Sequence, residues 1–424
     1  MQRGTCRPTN RCQLQREQWR RTIDAVPTET SSEDIPTADA ELSPAMLRRL
    51  ERVSAEEESA GMDPLVADPA VDVDMYRRAM RRRVAESVLT RHRIYLDMNY
   101  WIWLRDAALG QPARPIYADL WEHRIQLVRS GRVLCPVSYP VYREVLKQDS
   151  ASRQRTALVI DQLCGGVCIV EQLARITLQL SHFVWTELLG DQTLPPPDRF
   201  IWAPVSHVAG MPHPDSPNLP SDLNRFLQKR WLRMTQFMRF SDLIEGTIGW
   251  VKPTSDELHT LIQNLMSNWT RESLRSLKSV YTIEVGNMTD IIAREIVDFA
   301  QDLFRQGVRT PLGPEASPAD LAVSLACIIT TGLKMGRITK GFPQYHIMGV
   351  IHATNRWMRR PHDPNDLMDH QHATAALPYC DAFFTERGLR DTLTRGPFHL
   401  DQTYKCRVIS DPSEALTYLK DIAS

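Results

Sequence analysis

The sequence predicts an α/β protein whose core is a parallel sheet covered on both faces. Its strand-like segments are short and mostly apolar, as in "RIYL" at 93–96, and such runs are typical of strands buried on both sides. Helical patterns lie between and after them, and this alternation indicates right-handed crossover connections. The predicted strands cover 93–96, 132–138, 380–384 and 405–410, and the predicted helices cover 113–130, 139–148, 364–377 and 412–422.

The middle of the chain, 151–344, has a different pattern. Segments such as "EQLARITLQLSHFVWTELL" and "IIAREIVDFAQDLF" predict amphipathic helices, and a proline-rich loop interrupts them between 195 and 220. We therefore expect a helical insertion at 151–344 within the α/β domain. The alternative is that the middle is a separate domain and that the two ends belong to unrelated units.

Charge is unevenly placed ahead of the first strand. Between 29 and 74 there are thirteen acids against three arginines, which predicts a disordered acidic lead over 1–62. The stretch 77–93 holds seven arginines and one acid and predicts a basic helical segment over 63–92. Such a helix is either a solvated face or a contact for phosphate.

The composition as a whole excludes several classes of protein. The formal net charge is zero, so no global field attracts nucleic acid. No apolar run is long enough to cross a bilayer and the N-terminus lacks the apolar core of a signal peptide, so we expect a cytoplasmic protein. The eight cysteines are scattered, and buried thiols are expected at Cys135, Cys327, Cys380 and Cys406, which lie in apolar runs. Only "CGGVC" brings two cysteines close together, and because no second pair has zinc-ligand spacing, a metal or redox role is the less favoured interpretation of it.

Several acids follow the ends of predicted strands. Asp97 comes directly after the first strand, Glu144 lies six residues beyond Ser138, Asp369 lies in an Ala-rich helix, and Glu386 follows Thr385. Open parallel sheets bind ligands outside the carboxyl ends of their strands. Carboxylates gathered there repel one another and are tolerated when a hard divalent cation lies between them. The sequence therefore predicts a Mg²⁺ or Mn²⁺ site.

Three stretches in this order resemble the motifs of the PIN-domain family of metal-dependent nucleases. They are "YLDMNYW", "VLCPVSYPVYREV" and "LMDHQHATAALPYCDAFFTERGL". The resemblance covers 93–150 and 345–424 and says nothing about the insertion. It implies a PIN-like α/β/α sandwich and an endoribonuclease that hydrolyses phosphodiester bonds with water activated on Mg²⁺ or Mn²⁺.

Carried over by position, the resemblance implies roles for individual residues. Asp97, Glu144 and Asp369 match the catalytic, metal-binding acids, and Asn99, Ser138 and Thr385 match the supporting polar residues. At the fourth acidic position the family usually has aspartate, whereas this chain has Glu386. Asp381, five residues earlier, is either the alternative fourth ligand or a cap of its strand. This departure favours a second hypothesis, a catalytically inactive scaffold whose helical insertion binds RNA or a protein partner.

Basic and histidine side chains add candidates for substrate contact. Arg356, Arg359 and Arg360 precede the Asp369 helix and could hold a phosphate backbone, or form a solvated helix end. The basic, aromatic stretch 224–240 suits single-stranded nucleic acid or a packed amphipathic helix. His370 and His372 suit a packing or surface role, with a general acid or metal ligand as the alternative. We expect RNA rather than DNA as partner and no membrane; an inhibitory, antitoxin-like protein partner and the oligomeric state stay open.

Overall fold

The structure is a computed structural model that describes residues 44–210, 218–246, 276–291, 293–307, 316–358, 364–395 and 397–424. It divides into two compact units. The sheet unit comprises the described residues within 41–175, 195–270 and 361–424, and the helical unit comprises those within 176–194 and 271–360. The predicted α/β class is confirmed, with helix far exceeding strand.

Six strands are present in the described ranges. They are β1 (His92–Leu96), β2 (Val133–Leu134), β3 (Val167–Ile169), β4 (Trp202–Pro204), β5 (Ala382–Phe384) and β6 (Arg407–Ile409). The helices are α1 (Pro44–Ser59), α2 (Pro64–Ala67), α3 (Val73–Val88), α4 (Met98–Ala108), α5 (Pro115–Arg129), α6 (Tyr139–Lys147), α7 (Ser150–Leu163), α8 (Gln172–Phe183), α9 (Ser221–Thr235), α10 (Phe240–Gly246), α11 (Leu277–Ile291), α12 (Ala293–Arg305), α13 (Pro318–Lys334), α14 (Pro343–Trp357), α15 (Pro364–Ala376), α16 (Arg387–Thr394), α17 (Leu400–Tyr404) and α18 (Pro412–Ala423).

The core of the sheet unit is a parallel four-stranded sheet with the order β2-β1-β5-β6. All three pairings are parallel, and Ile94 lies opposite Ala382, which lies opposite Arg407. Three successive residues of β1, Ile94 to Leu96, have no exposed surface. Since successive side chains point to opposite faces of a strand, both faces of this sheet are covered. The four predicted strands and their parallel arrangement are confirmed.

The stretch around "CGGVC" forms an additional strand pair that was not predicted. β3 pairs antiparallel with β4, and Val137, just after β2, bridges Cys168 in parallel. Cys164 and Cys168 are free and buried, the Cys168 thiol donates to the Pro204 carbonyl at 3.1 Å, and burial raises the pKa of Cys164 to about 12. The prediction of buried thiols in apolar runs is confirmed for Cys135, Cys380 and Cys406, whereas Cys327 is half-buried.

The division into units differs from the predicted domain boundaries. The segments 151–175 and 195–246 belong to the sheet unit, although they were assigned to the insertion, whereas α14 belongs to the helical unit. In the helical unit α14 packs closely on α11, since a Cβ at Gly349 would lie 3.0 Å from Val285. The predicted helical character of the middle is nevertheless present in α7 to α13.

The predicted disordered lead is wrong for its last part, because 44–59 forms α1; residues 1–43 lie outside the described ranges. Val53 of α1 is buried. Acids of α1 pair with arginines far along the chain: Glu56 with Arg239 at 3.3 Å and Glu57 with Arg230 at 3.6 Å. The acids that led to the prediction of disorder are thus paired with arginines of the basic stretch 224–240.

Candidate active site

Four acids from separate segments lie at the carboxyl end of the parallel sheet. Asp97 follows β1 as the N-cap of α4, Glu144 lies in α6 after β2, Asp369 lies in α15, and Glu386 follows β5 as the N-cap of α16. Asp369 is influenced electrostatically by each of the other three acids. The structure therefore brings together the four residues predicted to be catalytic, and we call this group the acid edge.

Asp97 is held in place from two sides and is almost fully buried. Its carboxylate accepts a hydrogen bond from the Tyr100 backbone N–H at 3.2 Å, as a helix cap does. Its own N–H donates to the Phe384 carbonyl at 3.0 Å, which ties β1 to β5 beside the site. Burial raises the pKa of Asp97 to about 6, although His372, the Tyr100 N–H and the Thr385 hydroxyl oppose the rise.

Asp369 is the acid with the strongest perturbation. Burial raises its pKa to about 7, His372 partly offsets this, and the charges of Glu386, Asp97 and Glu144 add to the rise. A carboxylate in this environment is costly to ionise unless a cation is near. Groups perturbed by burial and by specific like charges are candidates for function.

Glu144 is bound to a histidine whose role in the site was not predicted from the sequence. His372 Nε2 lies 2.8 Å from Glu144 Oε2, and His372 Nδ1 lies 2.8 Å from the Tyr95 hydroxyl. Burial lowers the pKa of His372, but the bond to Glu144 and the charges of Glu144, Asp97 and Asp369 outweigh it, so the net shift is upward. His372 is three residues beyond Asp369, so both lie on one helix face.

The supporting residues divide into buried and exposed ones. Ser138 is 2% exposed and hydrogen-bonds to the Tyr95 hydroxyl, and Thr385 is buried beside Asp97. Asn99 is exposed in the first turn of α4. Ser138 and Thr385 thus lie beside the acids, whereas the Asn99 side chain is exposed to solvent. His370, the other candidate histidine, is also buried.

Asp381 lies at the opposite end of the sheet, so its prediction as a metal ligand is wrong. It precedes β5 and forms a bidentate pair with Arg93, with Nε–Oδ2 at 2.9 Å and Nη2–Oδ1 at 2.8 Å. The Arg93 backbone N–H donates to the same carboxylate at 2.8 Å. Although burial opposes it, this pairing lowers the pKa of Asp381. Its oxygens are satisfied by one cation of the chain and point to a structural role.

The predicted arginine contacts are not supported by the described residues. Arg356 is 7% exposed and its guanidinium pairs with Glu284 at 2.7 Å inside the helical unit, so its charge is already neutralised. Arg359 and Arg360 lie outside the described ranges. In α9, Lys229 is buried and donates to the Asp68 carbonyl at 2.6 Å, which favours the packed amphipathic helix for 224–240.

The acid edge fits a divalent cation by its chemistry but is not a closed cage. Carboxylate oxygens are the ligands that Mg²⁺ and Mn²⁺ prefer, and the acid edge gathers four carboxyl groups, of which burial raises the pKa of Asp97 and of Asp369. Within the described ranges, however, no three His, Cys, Asp or Glu side chains are spaced to hold a metal ion. Metal binding would therefore require these side chains to move together.

Comparison with known proteins adds no relative. No protein-family model matches the sequence, and neither the curated proteins nor the solved structures give a significant match. The resemblance to PIN domains therefore rests on the sequence motifs of this chain alone. Among the described residues, no helix is long and apolar enough to cross a membrane.

Proposed function

We propose that this protein is a metal-dependent nuclease that cleaves RNA endonucleolytically at the acid edge. The observation that carries the proposal is the convergence of Asp97, Glu144, Asp369 and Glu386 from four segments at the carboxyl end of one parallel sheet. This is the end at which open α/β sheets bind ligands. The preference for RNA comes from the motif resemblance alone.

Asp97, Glu144 and Asp369 would hold Mg²⁺ or Mn²⁺, with Glu386 as the fourth acid. When bound, such an ion activates water and neutralises charge on a phosphodiester. Asp97 is fixed for this task by its cap on α4 and by its backbone bond to Phe384. Glu386 is exposed, so its longer side chain lies where it can reach an incoming phosphate or ion.

A second candidate is a catalytically inactive scaffold that binds RNA or a protein through its helical unit. Two observations favour it: among the described residues no three potential ligands are spaced to hold a metal ion, and the fourth acidic position holds Glu386 where the family usually has aspartate. On this hypothesis the acids take no part in catalysis. A fold by itself does not establish a function.

The test is cleavage of labelled single-stranded RNA and DNA by the full chain with Mn²⁺, with an EDTA control. Two variants carry the same chemical change and test the two ends of the sheet separately. Asp97→Asn changes the acid edge, and Asp381→Asn changes the other end. We expect Asp97→Asn to lower cleavage by at least about a hundredfold, since losing even a partner of a metal ligand costs ~10–100-fold. Asp381→Asn should keep the cleavage rate.

Equal activity of wild type and Asp97→Asn would refute the nuclease proposal. RNA binding that survives EDTA, without cleavage by the wild type, would instead support the scaffold. Cleavage of DNA but not RNA would retain the metal site and correct the substrate class.

A further inference from the structure

A continuous series of hydrogen bonds runs from the core to the acid edge. The Ser138 hydroxyl bonds to the Tyr95 hydroxyl, which lies 2.8 Å from His372 Nδ1. His372 Nε2 then lies 2.8 Å from Glu144 Oε2. We call these four residues the relay. They come from β1, the start of α6, and α15, so the relay joins three separate segments.

Only the Glu144 end of the relay is appreciably exposed. Tyr95 has no exposed surface, and Ser138 and His372 are 2% and 1% exposed, whereas the Glu144 side chain is 20% exposed. The rigid part of the relay is therefore the histidine and the two hydroxyls, and the carboxylate at its end faces the open side of the site. Packing in a close-packed core fixes the ring orientation of His372.

The relay satisfies its donors and acceptors in either direction. With a neutral imidazole, Tyr95 donates to Nδ1 and accepts from Ser138; with an imidazolium, Nδ1–H donates to Tyr95, which donates to Ser138. In both arrangements Nε2–H remains the donor to Glu144. One oxygen of Glu144 is thus always held, and its other oxygen is left for a ligand.

We infer that His372 is a positioning residue that fixes Glu144 for binding a divalent cation, with Tyr95 and Ser138 fixing His372 in turn. This inference rests on the proposed metal-dependent function. Groups that hydrogen-bond to a metal ligand orient it and raise its basicity, and their loss typically weakens metal binding by ~10–100-fold. His372 touches the ligand and has no need to touch substrate.

Two amide substitutions separate positioning from packing. The amide nitrogen of glutamine lies close to where Nε2 of histidine was, and that of asparagine lies close to where Nδ1 was. His372→Gln therefore keeps a donor for Glu144, while His372→Asn keeps only the contact towards Tyr95. Both variants remove the ring and place an amide in the same buried position, so each is the packing control of the other.

The experiment is titration calorimetry of MnCl₂ into the full-length wild type and both variants, with thermal melting to verify folding. We expect His372→Asn to weaken Mn²⁺ binding by about tenfold or more and His372→Gln by no more than about threefold. In RNA cleavage, kcat should fall in His372→Asn at saturating Mn²⁺ with KM for RNA unchanged. A packing role would not separate the two amides.

Equal Mn²⁺ affinity in wild type and His372→Asn, or equal weakening in both variants, would overturn the positioning role and leave the nuclease proposal standing. A wild type that binds no Mn²⁺ would overturn both. If His372→Asn fails to fold, Tyr95→Phe decides: weakened Mn²⁺ binding supports the relay, and unchanged binding overturns it.

Discussion

The two ends of the parallel sheet shift the pKa of aspartate in opposite directions. At the amino end, which we call the paired edge, Asp381 is bound by Arg93, and His92 Nε2 lies 2.6 Å from the Tyr418 hydroxyl. The pKa of Asp381 is lowered by this pairing, which outweighs burial. At the acid edge burial raises the pKa of Asp97 to about 6 and that of Asp369 to about 7.

The difference lies in the cation that each end contains. The paired edge holds an arginine in bidentate geometry, so its aspartate is stable as a charged structural group. The acid edge gathers several carboxylates around one histidine, and burial makes each charge more costly. The acid edge therefore disfavours the ionised form of its aspartates, whereas the paired edge favours the ionised form of Asp381.

The largest expected effect is on the pH dependence of stability in EDTA. A group whose folded pKa lies above its unfolded value favours folding increasingly as pH falls through the folded pKa. Asp97 and Asp369 behave in this way, and the raised pKa of His372 acts in the same direction. Burial lowers the pKa of His346 to about 4 and also lowers that of His92, and both shifts oppose this trend. Because Asp97, Asp369 and His372 together outweigh them, we expect the free energy of unfolding to rise as pH is lowered from about 8 to about 5.

Asp97→Asn should remove much of that dependence. Its pKa rises from 3.8 to about 6, and at roughly 1.4 kcal/mol for each pKa unit the variant should be about 3 kcal/mol more stable near pH 8. Urea unfolding of both proteins across this range measures it. If the free energy of unfolding falls as pH falls, or if Asp97→Asn is less stable than the wild type, the opposite pKa shifts of the two edges are contradicted.

A smaller effect of opposite sign is expected from Asp381→Asn. Removing the carboxylate leaves Arg93 with a weaker acceptor, and we expect a loss of about 2 kcal/mol at neutral pH, as for hydrogen bonds to charged groups. Because its folded pKa is lowered, the contribution of Asp381 is present above its unfolded pKa and is lost as pH falls through the folded pKa.

Urea unfolding near pH 7 and in more acidic buffer measures this effect. The wild type should lose its advantage over Asp381→Asn only in the acidic buffer, below the window in which Asp97 titrates. A variant as stable as the wild type at neutral pH would show that the pair contributes nothing.

The smallest effect is expected from Arg93→Lys, which keeps the charge but loses the two-point geometry. Arg93 donates from both Nε and Nη2 to Asp381, and a lysine provides one compact donor. We expect a loss of about 1 kcal/mol with Mn²⁺ affinity unchanged, measured by urea unfolding and calorimetry. Altered Mn²⁺ binding in this variant would show that the two edges are not independent.

Local patterns predicted much of the sheet unit and its acids. Strand-like runs at 93–96 and 380–384 became β1 and β5, and the acids after strands or in the following helices came together because parallel strands present their carboxyl ends at one edge. Asp381 was already predicted at the start of its strand, which is the amino end of a parallel sheet. Its pair with Arg93 agrees with the structural alternative and not with the role of a metal ligand.

The sequence alone did not show which side chains from distant segments form ion pairs and hydrogen bonds. Acidic composition before residue 62 predicted disorder, yet Glu56 and Glu57 find arginines nearly two hundred residues away, at 239 and 230. His372 had the spacing of a packing residue, and only the meeting of α15, α6 and β1 places it between Glu144 and Tyr95.

The sequence by itself predicted the α/β class, the four parallel strands and the four acids of the acid edge. It could do so because periodicity, apolar runs and strand-end positions are local properties of a chain. Only the tertiary structure shows which aspartate pairs with an arginine, where the boundaries of the two units fall and which side chain holds Glu144 in place. The physical reason is that pKa shifts, ion pairs and hydrogen-bonded relays depend on burial and on distances between segments, which no local pattern encodes.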